Sequence, residues 1–597
     1  MQTSWHRYIY TESRKFAPIF FKEYFDIYNL SVSDYAFYFG REFETHEDIF
    51  YYNGRIVSDE MFAENGFVYS IDRVVEPIRN GAELLTDKSK PYSYSTYYNL
   101  INQFSELYYN EQATNKQAGA DEGLKVDSLF NLAYPQLVID INSEKTKPPK
   151  GTFGLPGNVT IRYHHGIVAP TNEAFNQLVS QYLSGTNNWG SVEDAPENIK
   201  RIIANSCLSI NAIYPTDIQK GFMNGESDII QIDESSIIQK EFGSNCTFIG
   251  VNKPIVPRAF SSVAGPVYLR KGFSKVMWAI ESAGLLSALK RKDANYSFFV
   301  ESDLLSSADS SFLYNPSTKQ FSAVSLYPSV RTIPLTVTDL RILLLNHIGL
   351  DQPKGIARKE FIKNMAGNFL IFDNVSKEVK GTAPSTYGYQ GSEETRVFPR
   401  KINSNSDNGS TYEIDNWLNF GASSIFSTIS TKYPKFHALM KKAGLSDDKL
   451  FKYKFISDNK NYTVFMPNDS VLSVTNTDVM SVPELKNFLL MHFVQGDMIF
   501  TDGNKNSGYY ETARVDQSSS PHATIYTKIR IETGIDKITI PSKEGLISVV
   551  VDESPTSNIL TAVNINTAEP TAYPNVMNNG VIHEIQKVLL FKEVDTK

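Results

Sequence analysis

Several things are scarce in this 597-residue chain, and each scarcity removes a class of protein. It has two cysteines, Cys207 and Cys246, too few for a disulfide framework and wrongly spaced for a zinc site. Their spacing leaves two readings open, one bond between them or two buried thiols. No apolar run reaches the roughly 20 residues needed to cross a bilayer. The best stretches, Leu340–Leu350 (LRILLLNHIGL) and Leu485–Val494 (LKNFLLMHFV), read as buried helices. Basic excess is missing too: 58 Lys and Arg stand against 66 Asp and Glu, a formal charge of -8, the opposite of a nucleic-acid footprint. There is no His-Glu-x-x-His, no Gly-x-Ser-x-Gly, no phosphate loop and no dinucleotide fingerprint. The opening MQTSWHRYIY lacks the basic-then-apolar design of an export signal. With 41% apolar and 21% charged residues, the chain is ordinary globular protein, long enough for three to five domains.

What is present is internal repetition. Four segments align without gaps: Asn65–Val75 (NGFVYSIDRVV), Asn245–Ile255 (NCTFIGVNKPI), Asn408–Leu418 (NGSTYEIDNWL) and Asn579–Leu589 (NGVIHEIQKVL). Asn-Gly favours a tight turn, because both residues tolerate positive φ, and the alternation behind it reads as a strand. A second signature precedes three of these: GIVAPTNEAF at Gly166, SFFVESDLL at Ser297 and TVFMPNDSVL at Thr463. Each is a β-rich run that turns into a helix, with Thr171, Asn172, Ser302, Asp303, Asn468 and Asp469 as the capping residue types. Between the two signatures lies an apolar helix that ends in His347 (LRILLLNH) or His492 (LKNFLLMH), and in Ser206 (IKRIIANS) in the divergent copy. Amphipathic runs near Tyr94, Phe273 and Phe436 open each repeat.

This ordered set resembles the fasciclin-like domain family. YTVFMPNDSVL is similar to that family's first conserved box, LKNFLLMHFVQGDMI to its central His-bearing box and NGVIHEIQKVLL to its closing strand. The last repeat carries all three in order. The third keeps His347 but has Glu301 where the box has Pro. The second keeps APTNEAF but has Ser206 for the His and Cys246 for the Gly. His6, in WHRYIY, stands where a first copy would have its His, so the sequence is expected to begin inside a domain, with further sequence, including an anchor, upstream.

The resemblance implies an α+β fold of tandem domains, each a wedge-shaped β-sandwich-like core with helices on one side. The expected divisions are 1–80 (the C-terminal part of a domain), 90–262, 268–422 and 423–597. Short linkers near Pro257–Lys271 and Leu418–Ser424 predict limited flexing between neighbours.

His347 and His492 each close an apolar helix, and a buried imidazole there satisfies a turn more often than it binds a ligand. His164 and His165 are adjacent on a strand and face opposite ways, so they do not share a metal. The stretches DNGS and TDGNKNSG lack the full ligand series of a calcium loop. No catalytic, cofactor-binding or metal-binding residue is assigned. Three aromatic-dense stretches, DYAFYFGREF from Asp34, DIFYYNG from Asp48 and KPYSYSTYYN from Lys90, are candidate contact surfaces set against plain core packing. The insertions 110–156, 377–407 and 503–522 are long enough to carry partner specificity.

The resemblance implies a non-enzymatic cell-surface binding or adhesion protein. The expected setting is the outer membrane, as an accessory subunit of a nutrient-uptake complex held by a transporter and its lid lipoprotein. The competing readings are a matrix adhesin that binds polysaccharide, and an enzyme with an unrecognised carboxylate pair. The integrin-contact Tyr-His element known in animal members is not carried over, because Trp5, Asn346 and Met491 precede the histidines.

Overall fold

The computed structural model describes residues 8–9, 15, 17–27, 29–45, 47–116, 128–144, 164–303, 312–325, 331–382, 396–397, 399–402, 406–414, 417–421, 423–520, 522–565, 571 and 575–597. His6, most of the 377–407 insertion, and 117–127 and 145–156 of the 110–156 insertion lie outside them. The chain forms two compact units, Met1–Arg258 and Ala259–Lys597. The class is α+β: helices and mostly antiparallel sheets, with parallel pairing confined almost entirely to one recurring place.

That place is a four-stranded arrangement found three times. In each, an opening strand runs parallel to a closing strand at the sheet centre. A short strand that follows the helix flanks the opening strand, and an antiparallel neighbour flanks the closing one. In the first unit, His165–Pro170 pairs with Cys246–Val251, between Leu208–Ser209 and Ile237–Phe242. In the second unit, Tyr296–Glu301 pairs with Gly409–Ile414, between Ile348–Gly349 and Arg400–Lys401. Tyr462–Pro467 pairs likewise with the closing strand Val576–Ile585, between Phe493–Gln495 and Ile559–Asn564. The register recurs as well: the first residue of each opening strand faces the residue just after the repeat asparagine, Cys246, Gly409 or Gly580.

Central parallel strands are covered on both faces, so they read as continuous apolar runs. Tyr462–Pro467 is buried at every position. Val464 and Met466 pack with Phe436, Met440, Leu485 and Ile582 on the helical side. Phe465 points the other way, into Ile529, Ile531, Ile538 and Ile585. Each such buried side chain contributes about 1.5–3 kcal/mol.

The caps follow the sequence at Thr171 and Asn468, whose side chains accept from Ala174 N (3.2 Å) and Val471 N (2.9 Å). Their neighbours do something else. The Asn172 side chain accepts from Thr96 N at 3.0 Å, and Asp303 accepts from Ser274 N and Lys275 N at 2.8 and 3.1 Å. They cap the helix that opens their own repeat (Ser95–Asn102 or Ser274–Ala283) from across the fold.

The fourth Asn-Gly segment behaves differently. Asn65 sits in the turn of a hairpin, and Gly66–Val68 pairs antiparallel with Met61–Ala63.

Within the second unit, the hairpin Lys359–Lys363 with Phe369–Asp373 packs against the last repeat. The rings of Phe361 and Phe500 stack at 4.2 Å. Asn368 and Asn578 exchange backbone contacts: Asn578 N donates to Asn368 Oδ1 and Phe369 N to Asn578 Oδ1, both at 3.0 Å. Asn368 Nδ2 also donates to Asn346 Oδ1 (2.8 Å) and Val576 O (2.9 Å). All of these side chains are buried.

Candidate interaction surfaces

The histidines come first, because they are the residues most often suspected of chemistry. His347 Nδ1 donates to Leu343 O at 2.8 Å, and its Nε2 accepts from Leu418 N at 2.8 Å. His492 repeats the pattern with Phe488 O at 2.9 Å and Leu589 N at 3.1 Å. An Nε2 that accepts leaves the proton on Nδ1. Both nitrogens are therefore committed to backbone groups, and none remains for a metal or a substrate. Burial holds both imidazoles neutral, lowering each pKa to about 4. Ser206 makes the same backward contact, its hydroxyl donating to Ile202 O at 2.7 Å, so serine replaces half of the histidine's role.

His583 also sits neutral in the interior, its pKa lowered to about 4 by burial, with Nε2 2.8 Å from Ile499 O. His164 and His165 bond to different carbonyls, Gly243 O and Ile210 O, each at 3.0 Å. Cys207 and Cys246 are free and buried, which settles the alternatives in favour of two thiols. Burial pushes the Cys207 thiol up to about 12, far from a reactive thiolate. Where the first box has Pro, Glu301 is buried and ion-paired with Lys275 at 2.5 Å. Among the described residues, no group of three His, Cys, Asp or Glu is placed to hold a metal ion, and no helix is long and apolar enough to cross a membrane.

In the aromatic stretches, core packing holds over the contact-surface alternative. In DYAFYFGREF, Tyr35 is interior, with Phe20, Phe25, Phe50 and Phe242 around it, and Phe39 and Phe43 pack against that cluster. The Phe20 and Phe242 rings meet edge to face at 5.3 Å. In KPYSYSTYYN, Tyr94 and Tyr97 are buried, the latter donating to Ala204 O at 2.9 Å. Aromatic density here marks a core, so most of these rings are unavailable to a partner.

Two features do face outward. The first is the hairpin at Asn65. Phe62 and Phe67 are cross-strand partners with rings 5.3 Å apart, and they are 82% and 57% exposed. Met61, Val68 and Tyr69 extend the apolar surface, and Asp59, Glu60 and Glu64 border it. Isolated exposed hydrophobics are common; here five lie together on one hairpin, Met61, Phe62, Phe67, Val68 and Tyr69.

The second is a cleft of ≈650 Å³ in the Ala259–Lys597 unit. One wall is the sheet face of Lys359, Phe361, Ile371 and Lys380. Phe361, Ile371 and Lys380 lie in one cross-strand row, and Lys359 is two residues along the same strand. The other wall is the helix Ile425–Lys432 with the segment 554–560. Sequence reasoning missed this cleft, because its walls come from three separate segments, 359–382, 423–432 and 554–560, and none carries a motif.

Residues 431–591 match the family model described as Fasciclin domain. Among solved structures, a FAS1 domain pair from the insect cell adhesion molecule fasciclin I is similar at 15% identity. The match covers 53% of this chain and 97% of that one, with a TM-score of 0.18. No curated protein matches the chain.

Proposed function

Residues 431–591 are a fasciclin domain, and from that premise we propose that the chain is a non-enzymatic binding protein of the cell surface. It is built of fasciclin-like modules at 1–80, 90–262, 268–422 and 423–597 and acts as an accessory subunit of an outer-membrane nutrient-uptake complex. Fasciclin domains are in general adhesion and protein-interaction modules. The recurring central strand pair with its constant register supports the modular division from 90 onward. The observation that carries a protein partner is the exposed Phe62–Phe67 hairpin. Paired aromatics on a short hairpin are the kind of anchor that dominates protein interfaces.

The test is affinity purification of the full chain from native membranes. A transporter barrel and its lid lipoprotein are expected to co-purify in stoichiometric amounts. The double variant Phe62→Ser, Phe67→Ser should release them while leaving the melting temperature unchanged. Recovery of the chain alone would reject the accessory-subunit reading.

A further inference from the structure

A third outward surface lies on the last repeat, at the short hairpin of Ser446–Asp447 and Lys452–Tyr453. We infer that its tip docks on an anionic lipid surface, with Leu450 and Phe451 entering the headgroup layer and the surrounding lysines meeting the phosphates. This contact is separate from the Phe62–Phe67 hairpin and does not depend on the protein-partner reading.

The tip is apolar and points outward. Ser446 pairs with Tyr453 and Asp447 with Lys452, so 448–451 form the loop between them. Leu450 and Phe451 are neighbours in that loop, 62% and 72% exposed. The turn is held from behind: Asp447 Oδ1 accepts from Lys449 N at 3.2 Å and from Leu450 N at 3.1 Å, and Tyr453 is buried. Phe451 has a φ of 49°. That left-handed region is open to glycine and costly for a bulky side chain. The ring meets Phe426 edge to face at 6.0 Å and is otherwise largely open to solvent. A strained backbone that displays an exposed phenylalanine points to a role at the surface.

The charge around the tip is opposite to that of the chain. Residues 432–454 hold seven lysines and two acids, Asp447 and Asp448, in a chain of formal charge -8. Asp448 pairs with Lys441 at 2.7 Å. Even with each acid cancelling one lysine, five positive charges remain in this segment. Lys449 and Lys452 flank the apolar pair and are exposed. Lys441 and Lys442 end the helix Pro434–Lys442, which packs on the strand Ser446–Asp447.

Apolar side chains foremost, with lysines beside and behind them, match the layers of a membrane. There the anionic phosphates lie outside the acyl boundary, and long lysine stems let the ammonium groups stay at phosphate level. Two weak signals, apolar and electrostatic, combine into useful affinity. The Phe62–Phe67 hairpin makes the contrast within the same chain. It is bordered by Asp59, Glu60 and Glu64, which an anionic surface would repel, so the two exposed aromatic tips sort to different partners.

The experiment is co-sedimentation of the full chain with vesicles of phosphatidylcholine and phosphatidylglycerol in equal parts, and with vesicles of phosphatidylcholine alone. The mixed vesicles are expected to bind about tenfold more tightly or better. Lys449→Gln with Lys452→Gln and, separately, Leu450→Ser with Phe451→Gly should each weaken that binding about tenfold. Glycine accepts the positive φ at 451, so the melting temperature should hold in the second variant. Lost binding at constant stability separates a surface contact from packing. No binding to the mixed vesicles, equal binding to both kinds, or binding indifferent to either variant would overturn the assignment. So would concentration-dependent dimers that the lysine variant dissociates, with no vesicle binding, since they would seat the acid-bordered hairpin of a second copy on the tip.

Discussion

His347 and His492 are the clearest case of residues whose conspicuous chemistry serves the backbone. Each ties the end of its helix to the segment after the closing strand, through Leu418 N and Leu589 N. His492→Ala would orphan a buried N–H and carbonyl and open a cavity. We expect a loss of about 2–4 kcal/mol in urea denaturation, with partner binding unaffected. The same burial makes stability depend on pH. His347, His492 and His583 have folded pKa values lowered to about 4 from 6.5. The unfolded chain therefore binds more protons below pH 6.5, and stability is full above that pH and falls as pH drops towards 4. Each histidine withdraws about 3 kcal/mol across that window. Asp303 and Asp502, raised by burial, act in the opposite sense. A melting series from pH 7 to pH 4 should show a steep decline, and His347→Ser, which copies Ser206, should make it shallower. An identical pH profile in that variant would refute the account.

At the scale of elements, the repeat asparagines explain why their motif could be read from sequence. Asn408 accepts from Val263 N and donates to Leu289 O and Arg291 O, each at 2.8 Å. Asn245 does the same with Gly81 N, Ile141 O and Ser143 O. In these two copies the side chain fastens the start of a closing strand to the opening segment and to a later loop; Asn579 and Asn65 do not repeat it, so the motif was legible through its Asn-Gly turn chemistry and not through these contacts. Asn408→Ala should cost about 3 kcal/mol, because it strands buried partners. The contact between Asn368 and Asn578 left no such trace. It spans 210 residues, and asparagine on an exposed turn and asparagine in a joint look alike in sequence. Asn368→Ala removes three of these bonds at once. Calorimetry should then resolve two transitions for Ala259–Lys597 where the wild type gives one, and a single undiminished peak would show that the coupling between the repeats does not run through Asn368.

For the whole molecule, the order of opening strand, His-bearing helix and closing strand along each repeat followed from turns, caps and alternation, all short-range signals, whereas the parallel pairing of the two strands did not. What lay outward did not. The rings of the helix Val32–Phe39 left contact surface and core packing both open, and it is enclosed by Phe20, Phe25 and Phe50 from its own surroundings and by Phe242, some two hundred residues on. Aromatic density has no direction, and direction comes only from the packing partner. The fragment Ala259–Lys597 has its own clusters of buried side chains and should fold alone, with a cooperative melt and mixed α and β dichroism; a molten fragment would contradict this. The parallel pairing of opening and closing strands has a mechanical consequence as well. A pull that draws the start of Tyr462–Pro467 and the end of Val576–Ile585 apart acts along the strands in opposite directions. The six register pairs between them then carry the load together, in shear, and do not unzip one at a time. A protein that holds a cell to something outside it would meet tension with its most resistant geometry at the centre of each repeat.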